Sequence, residues 1–348
     1  MNTVELISLW MVGHILFLFI FSSKLVKNLA LLFAICIFLF LFNEKPDTYD
    51  LNWYLPFFAA PYTRVPAEFG FYYISLLNVE LFNLTAKQSL FFWQFFIFIF
   101  FAQACRNFGS KNILIIAATI LASVMYVLSS QGAIRQGVSL SLVFFALSLS
   151  YSRKSKYLSV IIGGGALIFH VSGVQFYILG RILMWLSLGR EISFSYWLKR
   201  CWFMFALGVV AFLYMAGNET YGIEGFEGGE ARTSSGLKLI AIAISFIITE
   251  LILAQSIPGG SASFLRKIRL LYLIFLIPVS VAPEGFSRLA YFYYAIEMIL
   301  VSCLLCDRSR QRNLIAALFI LLTYAVAPNA INIITGLGQP PGAYDNSY

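Results

Sequence analysis

Apolar runs of membrane-spanning length, separated by short polar stretches, repeat along almost the whole chain. A helix needs roughly 17–25 predominantly apolar residues to cross a bilayer. The pattern therefore predicts about twelve spans: 6–22, 25–42, 89–105, 112–128, 137–151, 157–170, 172–188, 201–216, 236–255, 268–281, 289–306 and 313–327. The stretch 157–188 is too long for one span and contains Gly163, Gly164, Gly165, His170 and Gly173. A hairpin near His170 resolves it into two short helices. One long kinked helix would instead swap the side of every later loop. Three polar intervals are long enough to fold outside the bilayer: 43–88, 217–235 and the tail 328–348. Within the first, Phe69 to Phe82 is aromatic and leucine-rich and predicts an interfacial helix. Gly222, Gly225, Gly228 and Gly229 among acids make the second a flexible loop.

Composition confirms the class. Of 348 residues, 60% are hydrophobic and 11% charged, which excludes a soluble domain. The prediction is an all-α integral membrane protein, a single polytopic domain over residues 1–348 with no internal repeat. Glu5 is the first charge, and Lys24 and Lys27 follow the first apolar run. That order predicts an uncleaved first span with its N-terminus outside. The formal charge of +8 does not indicate nucleic acid, because the charges are scattered and mostly sit in short loops. The five cysteines lie in apolar segments or at their cytoplasmic ends and form no disulfide framework. Cys303 and Cys306 have metal-like spacing but no second pair, so they read as a packed helix face. No metal site, P-loop or dinucleotide motif is present, and Gly163–Gly165 reads as a close helix contact.

Charge placement carries the functional signal. With the hairpin, Lys24, Lys27, Arg106, Lys111, Arg153, Lys154, Lys156, Arg190, Lys199, Arg200, Arg266, Lys267, Arg269, Arg308, Arg310 and Arg312 all fall in cytoplasmic loops. That distribution orients the spans. Lys45, Arg64, Lys87, Arg135, Arg232, Lys238 and Arg288 remain on the opposite face, where orientation does not call for them. Several stand beside acids or at helix mouths, which suits an anion.

Candidate residues gather on that outer face. Asp47 and Asp50 interleave with Trp53 and Tyr54. Carboxylates accept hydrogen bonds from sugar hydroxyls, and aromatic faces stack on pyranose rings; the same residues also suit an interfacial aromatic belt. Glu68 follows Arg64 by four residues, which serves an ion pair as readily as a general base or acceptor-orienting carboxylate. Arg135, before Gln136, stands where a helix begins, a ready phosphate site. His170 lies near Ser172 in an apolar run, where an ionisable residue is costly. It suits proton transfer near neutral pH. Arg288 repeats the arrangement of Arg135, with a salt bridge to Glu284 as its plain alternative. Glu250 and Glu297 lie within spans and receive no role.

These pieces, in order, resemble the EpsG/Wzy-type polymerases of bacterial surface polysaccharide. The resemblance rests on Asp50 to Tyr54 with Glu68, on Ile134-Arg135-Gln136, on His170-Val171-Ser172, and on Ser287-Arg288 with Tyr291. It implies a bundle like that of the membrane-embedded, lipid-dependent glycosyltransferases (GT-C-like). It also implies transfer of a growing glycan from undecaprenyl diphosphate to the non-reducing end of a new lipid-linked repeat unit, at the periplasmic face of the bacterial inner membrane. No metal or other cofactor is implied. Arg135, Gln136, Arg288, Arg64, Trp53, Tyr54 and Ser172 would bind substrate, and His170, Asp50 or Glu68 would take the acceptor proton. Implied partners are the undecaprenyl-diphosphate-linked oligosaccharide, membrane lipid, a chain-length regulator and a flippase. A glycan ligase or acyltransferase would share outer Arg and His. A transporter or flippase would instead place its polar groups at mid-depth.

Overall fold

The computed structural model describes residues 49–63, 68–123, 133–187, 194–217, 229–254, 260–306 and 313–320. Among them every regular element is a helix. In chain order these are α1 (Tyr49–Ala59), α2 (Phe69–Glu80), α3 (Ala86–Asn107), α4 (Ile113–Ala122), α5 (Ile134–Tyr151), α6 (Lys156–Gly165, extended by a 3-10 turn Ala166–Ile168), α7 (Ser172–Ser187), α8 (Phe194–Ala216), α9 (Gly229–Leu253), α10 (Gly260–Val279) and α11 (Pro283–Cys306). A further helical stretch covers 313–320. The chain forms two compact units, the division falling within α7 after Arg181.

Among the described residues, five helices are long and apolar enough to cross a membrane: Ala86–Asn107, Ile134–Tyr151, Ser195–Ala216, Gly236–Leu253 and Arg288–Cys306. The protein is membrane-embedded, and its described elements are all helical. The other predicted spans are shorter, carry more charge, or, like 6–22 and 25–42, lie outside the described residues. Helices generally begin before the predicted spans. Hydropathy marks only the apolar stretch, whereas α8, α9 and α10 continue for polar turns at their starts. Residues 229–235, expected in a loop, therefore belong to α9. The described residues of the interval 43–88 are likewise largely helical, and α2 forms where an interfacial helix was expected. Residues 218–228 and the tail 328–348 lie outside the described residues.

In the first unit, short polar stretches set the helix ends. Thr85 and Gln88 form a reciprocal capping box that starts α3 (Thr85 N–H to Gln88 Oε1, 2.8 Å; Gln88 N–H to Thr85 Oγ1, 3.3 Å). Ser155 caps α6 by accepting from the Leu158 N–H at 3.1 Å. Helix directions follow from paired contacts. Phe100 packs on Phe145, Phe101 packs on Phe144, and Asn107 donates to Ser148 Oγ at 3.0 Å, so α3 and α5 run parallel. Ser159 donates to the Ala146 carbonyl at 2.7 Å while Ser139 donates to the Ala166 carbonyl at 3.0 Å, so α6 runs back along α5. A Cβ at Gly173 would strike Ser139 and one at Gly180 would strike Leu147, so α7 again runs with α5. The hairpin at His170 is present, and it returns the chain antiparallel to α6. As a result the start of α5, the end of α6 and the start of α7 share one end of the unit. The Lys154 Nζ contact to Asn107 Oδ1, 2.6 Å, marks the other.

Of the three consecutive glycines, only Gly163 makes a close contact. A Cβ there would overlap the Tyr177 ring, whereas Cβ atoms at Gly164 and Gly165 meet nothing within 4 Å.

In the second unit, α8 to α11 alternate up and down. Gly208 lies against the Phe275 carbonyl and Pro278, Gly285 against Met215, and Tyr272 donates to the Leu289 carbonyl at 2.9 Å. A charged cluster joins three helices. Arg269 donates to Glu250 at 2.8 Å and to Glu297 at 3.2 Å, and its guanidinium lies 4.4 Å from the Phe246 ring centroid. Arg266 forms a two-pronged pair with Glu250, one nitrogen–oxygen contact being 3.0 Å. Arg269 and Glu297 are fully buried. The sequence pattern placed Arg266, Lys267 and Arg269 in a cytoplasmic loop as orientation signals; instead they lie inside α10, and Arg269 neutralises carboxylates on neighbouring helices.

Candidate functional site

At the shared end of the first unit, three helices converge on Arg135. Its NH1 donates to Glu68 Oε2 at 2.6 Å, and its Nε donates to Tyr54 Oη at 3.3 Å. The guanidinium carbon lies 5.2 Å from the Trp53 ring centroid. Arg135 opens α5, Glu68 immediately precedes α2, and Trp53 and Tyr54 lie side by side on α1. The ion pair is partly shielded, with side chains 30% (Arg135) and 13% (Glu68) exposed. It is therefore less screened than a surface pair, yet close enough to solvent for a ligand to reach. Helix α5 starts without a side-chain cap, so its positive end adds to the guanidinium charge.

Aromatic packing holds this arrangement. Tyr54 meets Phe71 edge-on at 5.9 Å, Phe71 stacks on Trp93 at 4.7 Å, and Trp93 meets Phe169 at 6.1 Å. Trp93 Nε1 donates to Ser75 Oγ at 3.1 Å, which fixes the indole within this chain of rings. Phe169 directly precedes His170. A Cβ on Gly70 would come within 2.8 Å of the Ile168 side chain, so the start of α2 lies against the turn carrying His170. The rings and these close backbone contacts place the Glu68–Arg135 pair and the His170 turn in one rigid neighbourhood.

His170 is part of the turn between the two helices. Its Nδ1 lies 2.7 Å from Ser172 Oγ and accepts from the Ser172 backbone N–H at 3.2 Å. The His170 carbonyl accepts from the Gly173 N–H at 2.9 Å. The imidazole thus closes the turn that starts α7, much as an Asx side chain does.

The remaining candidates fall as follows. Gln136 is buried in the first turn of α5. Asp50 stands in the first turn of α1, and its side chain lies outside the described part of the structure. Arg64 and Asp47 lie outside the described residues. Arg288 is half-buried in α11 of the second unit. Among the described residues, no three His, Cys, Asp or Glu side chains gather as a metal set would.

Sequence reasoning left Arg64 and Arg135 both open as partners of the outer carboxylates; the structure pairs Glu68 with Arg135, 67 positions away, and Arg64 lies outside the described residues. The supporting roles of Phe71, Trp93 and Phe169 had no sequence signal, because these rings sit in apolar runs like their neighbours. The Arg269 cluster had one: two acids inside spans require nearby cations.

The family model described as the EpsG family matches residues 28–336. No curated protein and no solved structure matches the chain.

Proposed function

Because the chain belongs to the EpsG family, we propose that it is a membrane-embedded polymerase of lipid-linked polysaccharide repeat units. The growing glycan leaves undecaprenyl diphosphate and joins the non-reducing end of a newly delivered lipid-linked repeat. The reaction takes place at the periplasmic face of the bacterial inner membrane, in a bundle of GT-C-like type, without a metal.

The observation that carries this reading is the convergence of Arg135, Glu68, Tyr54 and Trp53 from three helices. A guanidinium binds diphosphate oxygens, a carboxylate and a phenol hydrogen-bond sugar hydroxyls, and an indole packs on a pyranose face. The acceptor hydroxyl attacks the anomeric carbon of the donor glycan as the bond from that carbon to the diphosphate oxygen breaks. Negative charge then grows on the leaving diphosphate, where fixed cations stabilise it. Arg135 supplies one such cation. The hydroxyl proton passes to one of Glu68, Asp50 and His170.

The test uses purified protein in vesicles supplied with undecaprenyl-diphosphate-linked single repeats. A ladder of longer lipid-linked glycans supports the reading; unchanged single repeats with well-folded protein reject it.

A further inference from the structure

Several helix serines of this chain donate to the carbonyl three positions back in their own helix. Ser141 donates to Val138 at 2.8 Å, Ser148 to Phe145 at 2.6 Å and Ser302 to Ile299 at 2.8 Å. Ser139 and Ser159 reach across to another helix instead. Ser139 donates to the Ala166 carbonyl at 3.0 Å, and Ser159 donates to the Ala146 carbonyl at 2.7 Å. Both are fully buried, and they tie α5 to the α6 hairpin at its two opposite ends. Ser139 is at the end that holds the site, four residues beyond Arg135 and so on the same face of α5.

The Ala166 carbonyl is the hub of the turn after α6. Besides the Ser139 hydroxyl it accepts from the backbone N–H groups of Phe169 and His170, each at 3.2 Å. The same turn supports α2. A Cβ on Gly70 would come within 2.8 Å of the Ile168 side chain and 3.0 Å of the Ile168 carbonyl. Gly70 stands two residues after Glu68, whose carboxylate pairs with Arg135 at 2.6 Å. One line of contacts therefore runs from the Arg135 face of α5 through Ser139, the 166–170 turn and Gly70 to Glu68.

We propose that Ser139 is a positioning residue for glycan transfer: through the 166–170 turn it sets where the start of α2 stands against α5, and so where the Glu68 carboxylate meets Arg135. This rests on the polymerase reading above. Ser139 acts through Glu68 and Arg135 and touches no substrate. Loss of its hydroxyl releases the turn from α5, and Glu68 then shifts relative to the guanidinium. A misplacement of about 1 Å can cost roughly 10²-fold in rate even when the mutated residue is remote from the chemistry. Gly70 works with Ser139, because a side chain there would push α2 off the turn.

Ser159→Ala is the control for Ser139→Ala. Each removes one hydroxyl-to-carbonyl bond between the same two helices, and Ser159 also gives up its contact with the Tyr177 hydroxyl at 3.1 Å, so its structural cost is at least as large. Rates are measured per folded protein in vesicles supplied with undecaprenyl-diphosphate-linked single repeats. Ser139→Ala should lower kcat by about 10- to 100-fold with KM unchanged, and Ser159→Ala should keep the wild-type rate. Equal losses in the two variants, or a wild-type rate in Ser139→Ala, overturn the proposal. Gly70→Ala wedges the same contact from the α2 side and should also lower kcat, with part of the rate restored by adding Ile168→Ala; a wild-type rate in Gly70→Ala overturns the route through the turn. Hydrogen exchange followed by mass spectrometry, without substrate, reads the positioning directly. Ser139→Ala should speed exchange in residues 69–76 as well as in 166–170, and a change confined to 166–170 overturns the proposal. If wild-type protein extends no repeats, the polymerase reading fails, and the exchange result still decides whether Ser139 holds the helix that follows Glu68.

Discussion

Arg135→Lys isolates what the guanidinium contributes beyond its charge. Arg135 meets three partners at once: Glu68 at 2.6 Å, Tyr54 at 3.3 Å and the Trp53 ring at 5.2 Å. A lysine ammonium reaches one of these and keeps the ion pair with Glu68. It then gives up the hydrogen bond to Tyr54, worth about 0.5–1.5 kcal/mol, and the face contact with Trp53, worth about 0.5–1 kcal/mol at a partly exposed site. The sum, about 1–2.5 kcal/mol, corresponds to a roughly 5- to 70-fold loss of polymerisation rate if the same geometry grips the diphosphate. The assay is the initial rate of ladder formation in vesicles, normalised to folded protein. Tyr54→Phe should reproduce the hydrogen-bond share alone, and adding it to Arg135→Lys should cost little more, because the lysine no longer uses the phenol. A wild-type rate in Arg135→Lys would refute the reasoning and leave Arg135 as a structural ion-pair partner. Full additivity of the two changes would show that the phenol acts independently of the guanidinium.

Further outcomes follow from the packing. Arg269→Leu should destabilise the second unit by about 3–5 kcal/mol, because it leaves a buried carboxylate uncompensated. Arg269→Leu with Glu297→Leu should recover much of that in thermal unfolding in detergent, since Glu250 keeps Arg266. Gly163→Ala should lower stability because its Cβ meets the Tyr177 ring, while Gly164→Ala, in open space, should be neutral or stabilising by roughly 0.5–1 kcal/mol. Phe82→Cys and Lys156→Cys, in a background lacking the native cysteines, should label from opposite sides of the membrane, Phe82→Cys from the periplasm; labelling of both from one side contradicts the assigned topology.

The helices were legible because a bilayer imposes length and apolarity on what crosses it, and these properties can be counted along a sequence. The hairpin at His170 was legible from length and charge parity together, since 157–188 is too long for one span and the side of every later loop depends on the turn. Helix starts were less legible: α8, α9 and α10 begin in polar sequence, and hydropathy cannot separate a polar helical turn from a loop. At the site, residue types were readable and pairings were not. Arg64 and Arg135 were both open to Glu68 as partners, and the sequence could not choose between them, because the approach of α2 to α5 arises from ring packing through Phe71 and Trp93. Arg269 was misread for a related reason. A cation near the end of an apolar run looks the same whether it faces a headgroup or neutralises Glu297 on another helix.

The most direct test of the central claim is where new material enters the chain. Transfer of the growing glycan onto each incoming repeat inserts new units next to the lipid. Vesicles with purified protein would first receive unlabelled repeats and then a brief pulse of isotopically labelled ones. The products would be digested stepwise from the non-reducing end. The account predicts label in the last unit released, the one attached to the diphosphate lipid. Label released first, at the distal tip, or no elongation at all, would contradict it.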